Sequence, residues 1–214
     1  HVLVSHRVKP GDRVGVLLPH SPEMLIALNG IWMAGAVAVA ASPLMVASEV
    51  SGLLNSTQCK LVIGLDLLLP LVFGGDYEPE TVLVAGLSDR MPLLQRLAYS
   101  AARVVRLGFR SLARDKRCHD FARELAQGNP VFQPLRDQPI DGPAFVLPTG
   151  GTTAAPKAVM LSHRNLVANA WQLHHWGGAT MAQETVLAVV PFFHSYGLTT
   201  CAMTGTAMAA TLIL

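Results

Sequence analysis

A regular alternation of short apolar runs with capped helical stretches constrains this chain more than any other feature. Residues 12–18, opening Asp12-Arg13-Val14-Gly15, form an apolar run of strand length. Ser21-Pro22-Glu23 then supplies an N-cap, a proline at the first helical position and a carboxylate at the positive end of the helix dipole. The helix so opened runs to about Ala34 and is followed by a strand at 37–41. Ser48 caps a second helix, and residues 60–63 and 81–85 are the next strands. After loop punctuation at Gly128-Asn129-Pro130 and Asp141-Gly142-Pro143, the rhythm resumes with a strand at 144–147, a helix capped by Ser162 through Trp171, and a strand at 185–190. This pattern predicts an α/β fold of mainly parallel sheets with helices on both faces.

Residues 88–140 break the rhythm. Arg96, Arg103, Arg106, Arg110, Arg114 and Arg117 fall within about an 80° arc of one helix, opposite Leu97, Ala101, Val104, Val105, Phe109 and Leu112. Two readings stand: a solvated basic face, or an interfacial helix across 96–117 lying on anionic lipid. Gly108 weakens the helix in either case.

Two uncharged runs, 24–46 and 197–214, have the length of membrane spans, but Gly, Pro and Asn in the first and Gly and Thr in the second divide them into shorter elements. A net charge of +2 gives no argument for nucleic acid. Cys59, Cys118 and Cys201 lie far apart without a CxxC pair, which argues against a disulfide framework or thiolate metal site and fits a reducing cytoplasm, with membrane association through the arginine helix as an added option. The chain lacks an initiator Met and stops inside a strand-like tail, so it reads as cut at both ends. The expected divisions are a first βα portion at 1–87, a basic helical insert and linker at 88–143, and a phosphate-loop βα portion at 144–214.

The densest chemical signal is Thr149-Gly150-Gly151-Thr152-Thr153-Ala154-Ala155-Pro156-Lys157, directly after a strand. Glycines let the backbone approach a ligand and aim N–H groups at it, hydroxyls add donors, and the lysine adds a mobile cation. A polyphosphate needs this combination when charge develops on a leaving phosphate. A Walker A loop aligned on Lys157 fails, because Pro156 would replace its second glycine and Ala158 its Ser/Thr. The plain alternative is a Gly/Thr-rich turn between strands.

The stretch from Phe145 to Asn165 resembles the AMP-binding motif of acyl-CoA synthetases and other adenylate-forming enzymes. Pro191-Phe192-Phe193-His194-Ser195-Tyr196-Gly197 resembles the family's next core motif, and residues 9–23 and 32–38 resemble its first two. Four motifs occur in the family's order. The Thr-Gly-Gly-Thr-Thr form and the basic insert after Met91 are most similar to bacterial long-chain fatty acid CoA ligases.

The resemblance implies that a fatty carboxylate attacks the α-phosphate of Mg-ATP to give acyl-adenylate and pyrophosphate, and that coenzyme A then displaces AMP. It implies that Thr149, Gly150, Gly151, Thr152 and Thr153 hold the β- and γ-phosphates, with Lys157 as the cation, Thr152 helping to orient Mg2+, and His194 placing the carboxylate. For His194 the plain alternative is a loop histidine satisfied by backbone. His163 and the His174-His175 pair read as helix and surface residues without a metal role. The family's acidic Mg2+ motif, ribose-binding aspartate and C-terminal domain with the catalytic lysine fall after residue 214, so the chain alone is not expected to make acyl-CoA. Ala154 and Ala158 stand where the family has glycine, and a methyl at 154 costs on the order of 1 kcal/mol if the loop requires positive φ. Two other functions remain open: adenylation of an amino, aryl or short-chain acid, and a non-catalytic nucleotide-binding module.

Overall fold

The computed structural model describes residues 1–107, 115–129, 138–149 and 157–214. In chain order the elements are α1 (Val2–Ser5), β1 (Arg13–Leu17), α2 (Pro22–Met33), β2 (Val37–Ala40), α3 (Ala47–Ser56), β3 (Leu61–Leu65), α4 (Leu69–Phe73), β4 (Thr81–Ala85) and α5 (Leu93–Leu107). There follow β5 (Cys118–Asp120), α6 (Phe121–Gln127), β6 (Pro143–Thr149), β7 (Lys157–Ser162), α7 (His163–Gly177) and β8 (Thr185–Leu187). The last elements are a helical turn α8 (Ser195–Gly197), a π-helix (Leu198–Met203), α9 (Thr204–Ala207) and β9 (Thr211–Ile213).

One seven-stranded sheet runs β5-β4-β3-β1-β2-β6-β7. Every neighbouring pair is parallel except β6 with β7, which are antiparallel. The expected α/β class is therefore observed. β8 and β9 pair separately as a two-stranded parallel sheet. The chain passes from β1 to β2 on one side and then back to β3 on the other. Such a reversal opens a crevice beyond the carboxyl ends of the strands, where open α/β sheets bind ligands.

Strand alternation divides the core into two layers. In β2, Ala38 and Ala40 face one layer, which holds Met24, Leu28 and Ile31 of α2, while Val37 and Val39 face the other, which holds Val50 and Leu54 of α3. Phe145 and Leu147 of β6 join the first layer and Val146 the second. β1, β2 and β3 are buried on both faces, which is why they read as continuous apolar runs. Trp32 ties α2 to β6 by donating from Nε1 to the Ala144 carbonyl at 2.9 Å.

Several local expectations require correction. Residue 46, not Ser48, is the N-cap of α3; its N–H donates to the Glu49 carboxylate at 3.0 Å, so the cap runs through a side chain inside the first turn. The strand expected at 185–190 ends at Leu187, and α7 continues past Trp171 to Gly177. Of the helix expected across 96–117, the part up to Leu107 belongs to α5, residues 108–114 lie outside the described residues, and Arg117 is not helical. Arg117 lies beside β5, where its guanidinium holds Asp115 at 2.7 Å and covers the Phe73 ring at 5.0 Å. Its carbonyl accepts from the Val82 N–H at 2.8 Å. The βα rhythm also continues through this region, because β5 pairs with β4 and leads into α6. Arg110 and Arg114 lie outside the described residues. Among the described residues, no helix is long and apolar enough to cross a membrane.

Candidate active site

The antiparallel pair β6–β7 sets the geometry of the phosphate-binding candidate. β6 is held in the sheet by Ala144, Phe145, Val146 and Leu147, all buried. Its last residue, Thr149, lies directly across from Lys157, the first of β7. The Thr149 hydroxyl donates to the Lys157 carbonyl at 3.2 Å, closing the ladder at that point. Both residues are exposed and mark the carboxyl-terminal edge of the parallel strands. Gly150, Gly151, Thr152, Thr153 and Ala154, all named above for this loop, lie outside the described residues.

The base of this hairpin is braced by α7. The Ser162 hydroxyl accepts from the Asn165 N–H at 3.2 Å, and the Ser162 N–H donates to the Asn165 side chain at 2.9 Å, a reciprocal cap that fixes where strand becomes helix. Arg164 grips Asp141 through two bonds of 2.6 and 3.0 Å, and its N–H reaches the Ile140 carbonyl at 2.8 Å. Asp141, the carboxylate nearest in sequence to the hairpin, is thereby held below the usual carboxylate range by the guanidinium. The hairpin enters and leaves through the same anchored point.

His194 stands exposed just ahead of α8. Its carbonyl accepts from the Leu198 N–H at 2.9 Å, its N–H donates to the Pro191 carbonyl at 3.2 Å, and its ring lies 4.8 Å from that of Phe193. Phe192 is fully buried and Phe193 nearly so, anchoring the segment in the same core layer as Phe145. The segment that follows is wound as a π-helix over Leu198–Met203, and the Thr204 side-chain hydroxyl donates to the Thr199 carbonyl at 2.7 Å. Wide turns of this kind recur at functional sites. Gly197 is required by packing, since a Cβ there would run into the Val190 and Pro191 carbonyl oxygens.

Sequence reasoning missed His20. It follows β1 at the carboxyl edge, and its ring lies 4.0 Å from Phe192, joining the first motif to the His194 motif. Burial lowers its pKa, an effect that the nearby Ala188 backbone partly offsets. His163 is lowered by burial as well. Folding thus favours the neutral form of both imidazoles. Because the unfolded chain takes up these protons first, stability is greatest above the ordinary histidine value of about 6.5 and declines as pH falls through the lower folded values. Denaturant midpoints measured between pH 7.5 and 5.5 should decline, and His20→Gln should flatten the slope; an unchanged slope would contradict the assignment. His174 and His175 end α7 with ring centroids 5.2 Å apart beside Trp171, and both belong to that aromatic cluster.

Comparison with known proteins follows the same lines. A family model described as AMP-binding enzyme matches residues 1–214. A long-chain-fatty-acid–CoA ligase of Bacillus subtilis (strain 168) is 33% identical over 207 residues, covering 92% of this chain and 36% of the relative. A 4-coumarate–CoA ligase of Vanilla planifolia is 25% identical over 201 residues, covering 92% of this chain and 32% of the relative. The crystal structure of a long-chain-fatty-acid–CoA ligase from Archaeoglobus fulgidus matches with a TM-score of 0.72 at 21% identity, covering 99% of this chain and 36% of that one. The chain spans about a third of the length of the curated relatives it matches.

Proposed function

Because the chain belongs to the AMP-binding enzyme family, we propose that it supplies the phosphate-holding part of an adenylate-forming acyl-CoA ligase, a cytoplasmic enzyme that converts a long-chain fatty acid to its coenzyme A thioester. One observation carries this reading: Thr149 and Lys157 are paired across β6 and β7 at the carboxyl edge, so a Gly/Thr loop is gripped at both ends where a ligand would lie. In the first step a carboxylate oxygen attacks the α-phosphorus of ATP, the bond to the β-phosphate bridging oxygen breaks, and pyrophosphate leaves. The loop N–H groups and the Thr152 and Thr153 hydroxyls hold the departing phosphates, and Lys157 balances the charge that grows on them. Thr149 fixes the end of the loop. His194 positions the carboxylate for in-line attack. In the second step the coenzyme A sulfur attacks the acyl carbon and AMP leaves.

Mg2+ would neutralise phosphate charge, with the Thr152 hydroxyl as an oxygen ligand of the hard kind that ion prefers. Asp141 is not a candidate for that role, since Arg164 occupies both its oxygens. Contact with anionic lipid is proposed for α5, whose Leu93, Leu94 and Leu97 are exposed beside Arg96. Salt-sensitive flotation with anionic vesicles supports that contact, and no flotation at low salt removes it.

The fatty-acid assignment rests on the closer match to the Bacillus ligase, 33% against 25% for the coumarate ligase. The coumarate match supports an aryl acid as the second reading. A competition assay separates them: the intact protein is given ATP, coenzyme A and equal concentrations of palmitate and 4-coumarate, and the thioesters are weighed by mass spectrometry. Predominance of palmitoyl-CoA supports the first reading, and predominance of coumaroyl-CoA replaces it with the second.

A further inference from the structure

We propose that His6, His119 and Glu124 form a binding site for one divalent first-row transition metal ion, zinc being the best match, that clips α1 to the β5–α6 edge of the sheet. The inference is independent of the catalytic reading, since β5 and β6 are separated by β4, β3, β1 and β2.

Three separate elements bring the donors together. His6 follows α1, His119 is the middle residue of β5, and Glu124 lies in the first turn of α6. His6 Nε2 stands 3.2 Å from Glu124 Oε2, and His119 Nδ1 stands 3.6 Å from Glu124 Oε1. Among the described residues these form a group whose three ligand atoms all lie within 4.8 Å of one another. A tetrahedral ion with bonds of about 2.0–2.2 Å places its ligand atoms about 3.3–3.6 Å apart. The two short separations reach different oxygens of the Glu124 carboxylate, and the three ligand atoms lie within 4.8 Å of one another, so side-chain rotations must draw them together by about 1 Å to reach that spacing.

Hydrogen bonding alone accounts for less of this arrangement. The 3.2 Å contact is a hydrogen bond at the long end of the range, and the 3.6 Å contact is too long to be one. The two imidazoles nevertheless sit edge to face at 4.8 Å, with the carboxylate between their nitrogens. A central cation uses all three donors and removes the crowding of two ionisable rings. The side chains are 14%, 37% and 25% exposed for His6, His119 and Glu124, sheltered enough to be ordered and open enough for an ion to enter.

Donor chemistry selects the ion. Two imidazole nitrogens and one carboxylate suit zinc, nickel or cobalt, whereas magnesium and calcium prefer oxygen throughout. Three protein ligands leave a fourth position for water. No reacting group of the proposed active site is placed here, so the expected role is mechanical: the ion ties residues 6 and 124, 118 positions apart, to the same strand. An ion bound only by the folded chain raises its stability by mass action.

The test uses the intact, untagged protein stripped with a chelator and titrated with Zn2+ against a chromophoric competitor. The expected result is one equivalent bound, a higher thermal midpoint with Zn2+, and visible absorption bands when Co2+ replaces it. Glu124→Gln preserves shape and should weaken Zn2+ at least tenfold while the circular dichroism spectrum is retained; His119→Ala should do the same. The double variant His174→Asn/His175→Asn controls for the exposed pair on α7 and should bind as the parent does. Absence of a bound equivalent in the parent would overturn the proposal, as would equal affinity in folded Glu124→Gln or loss of the site in the His174/His175 variant. Should His119→Ala fail to fold, Glu124→Gln decides alone.

Discussion

Replacing Lys157 by alanine should slow adenylate formation by about 10²–10³-fold and leave the fold unchanged, because a positioned cation or donor at a developing charge is worth about 2.7–4 kcal/mol. Lys157 is exposed, and its part in the hairpin is made by backbone: it pairs with Thr149, and its carbonyl accepts the Thr149 hydroxyl. Removing the side chain beyond Cβ leaves both contacts in place, so the variant should unfold at the parent's temperature. Single-turnover measurement of pyrophosphate release would isolate the first chemical step. Lys157→Arg should recover part of the rate, since it keeps the charge but changes its shape and reach. A rate for Lys157→Ala within threefold of the parent, at saturating ATP, would remove this lysine from the mechanism.

Gly197→Ala should damage both stability and activity, for a different reason. The added Cβ would overlap the carbonyl oxygens of Val190 and Pro191, which are backbone and cannot rotate aside. Relief requires the turn carrying Pro191, Phe192, Phe193 and His194 to shift, and Phe192 is fully buried. Overpacking of this kind costs about 1–3 kcal/mol. Displacing His194 by about 1 Å would lower the rate of the chemical step by about 10²-fold. Gly52→Ala is the matched control, because Gly52 lies within α3 with open space at its Cβ position. Denaturant titration and turnover of the two variants check the account. Equal stability and activity for Gly197→Ala and the parent would show that the turn is not held as described.

The parts of the fold legible in the sequence are those that burial dictates directly. β1, β2, β3, β4 and β6 are apolar on both faces and announce themselves as short hydrophobic runs. Ser162 is a true cap because its side chain and that of Asn165 answer each other over three residues, a local event. β5 was hidden because Cys118-His119-Asp120 is polar, three residues long and on the sheet edge, where pairing with β4 rather than hydrophobicity makes the strand. Arg117 continued the arginine spacing of α5 yet belongs with Asp115 and Phe73, a tertiary arrangement that periodicity cannot see.

The candidate site divides in the same way. Thr149 and Lys157, the ends of the proposed phosphate loop, are marked by motif and strand position, and they pair across β6 and β7. His20 against Phe192, and Gly197 against the Val190 and Pro191 carbonyls, needed coordinates, because each depends on where a turn folds back. The grouping of His6, His119 and Glu124 lies beyond any local pattern, with 118 positions between its outer members.

The most direct test of the central claim is ATP–pyrophosphate exchange by the intact protein, run with palmitate, 4-coumarate and no acid, beside Lys157→Ala. The account predicts exchange that depends on palmitate, exceeds that with 4-coumarate, and falls by at least 10²-fold in the variant. Exchange with neither acid in folded protein, or exchange indifferent to Lys157, would contradict it.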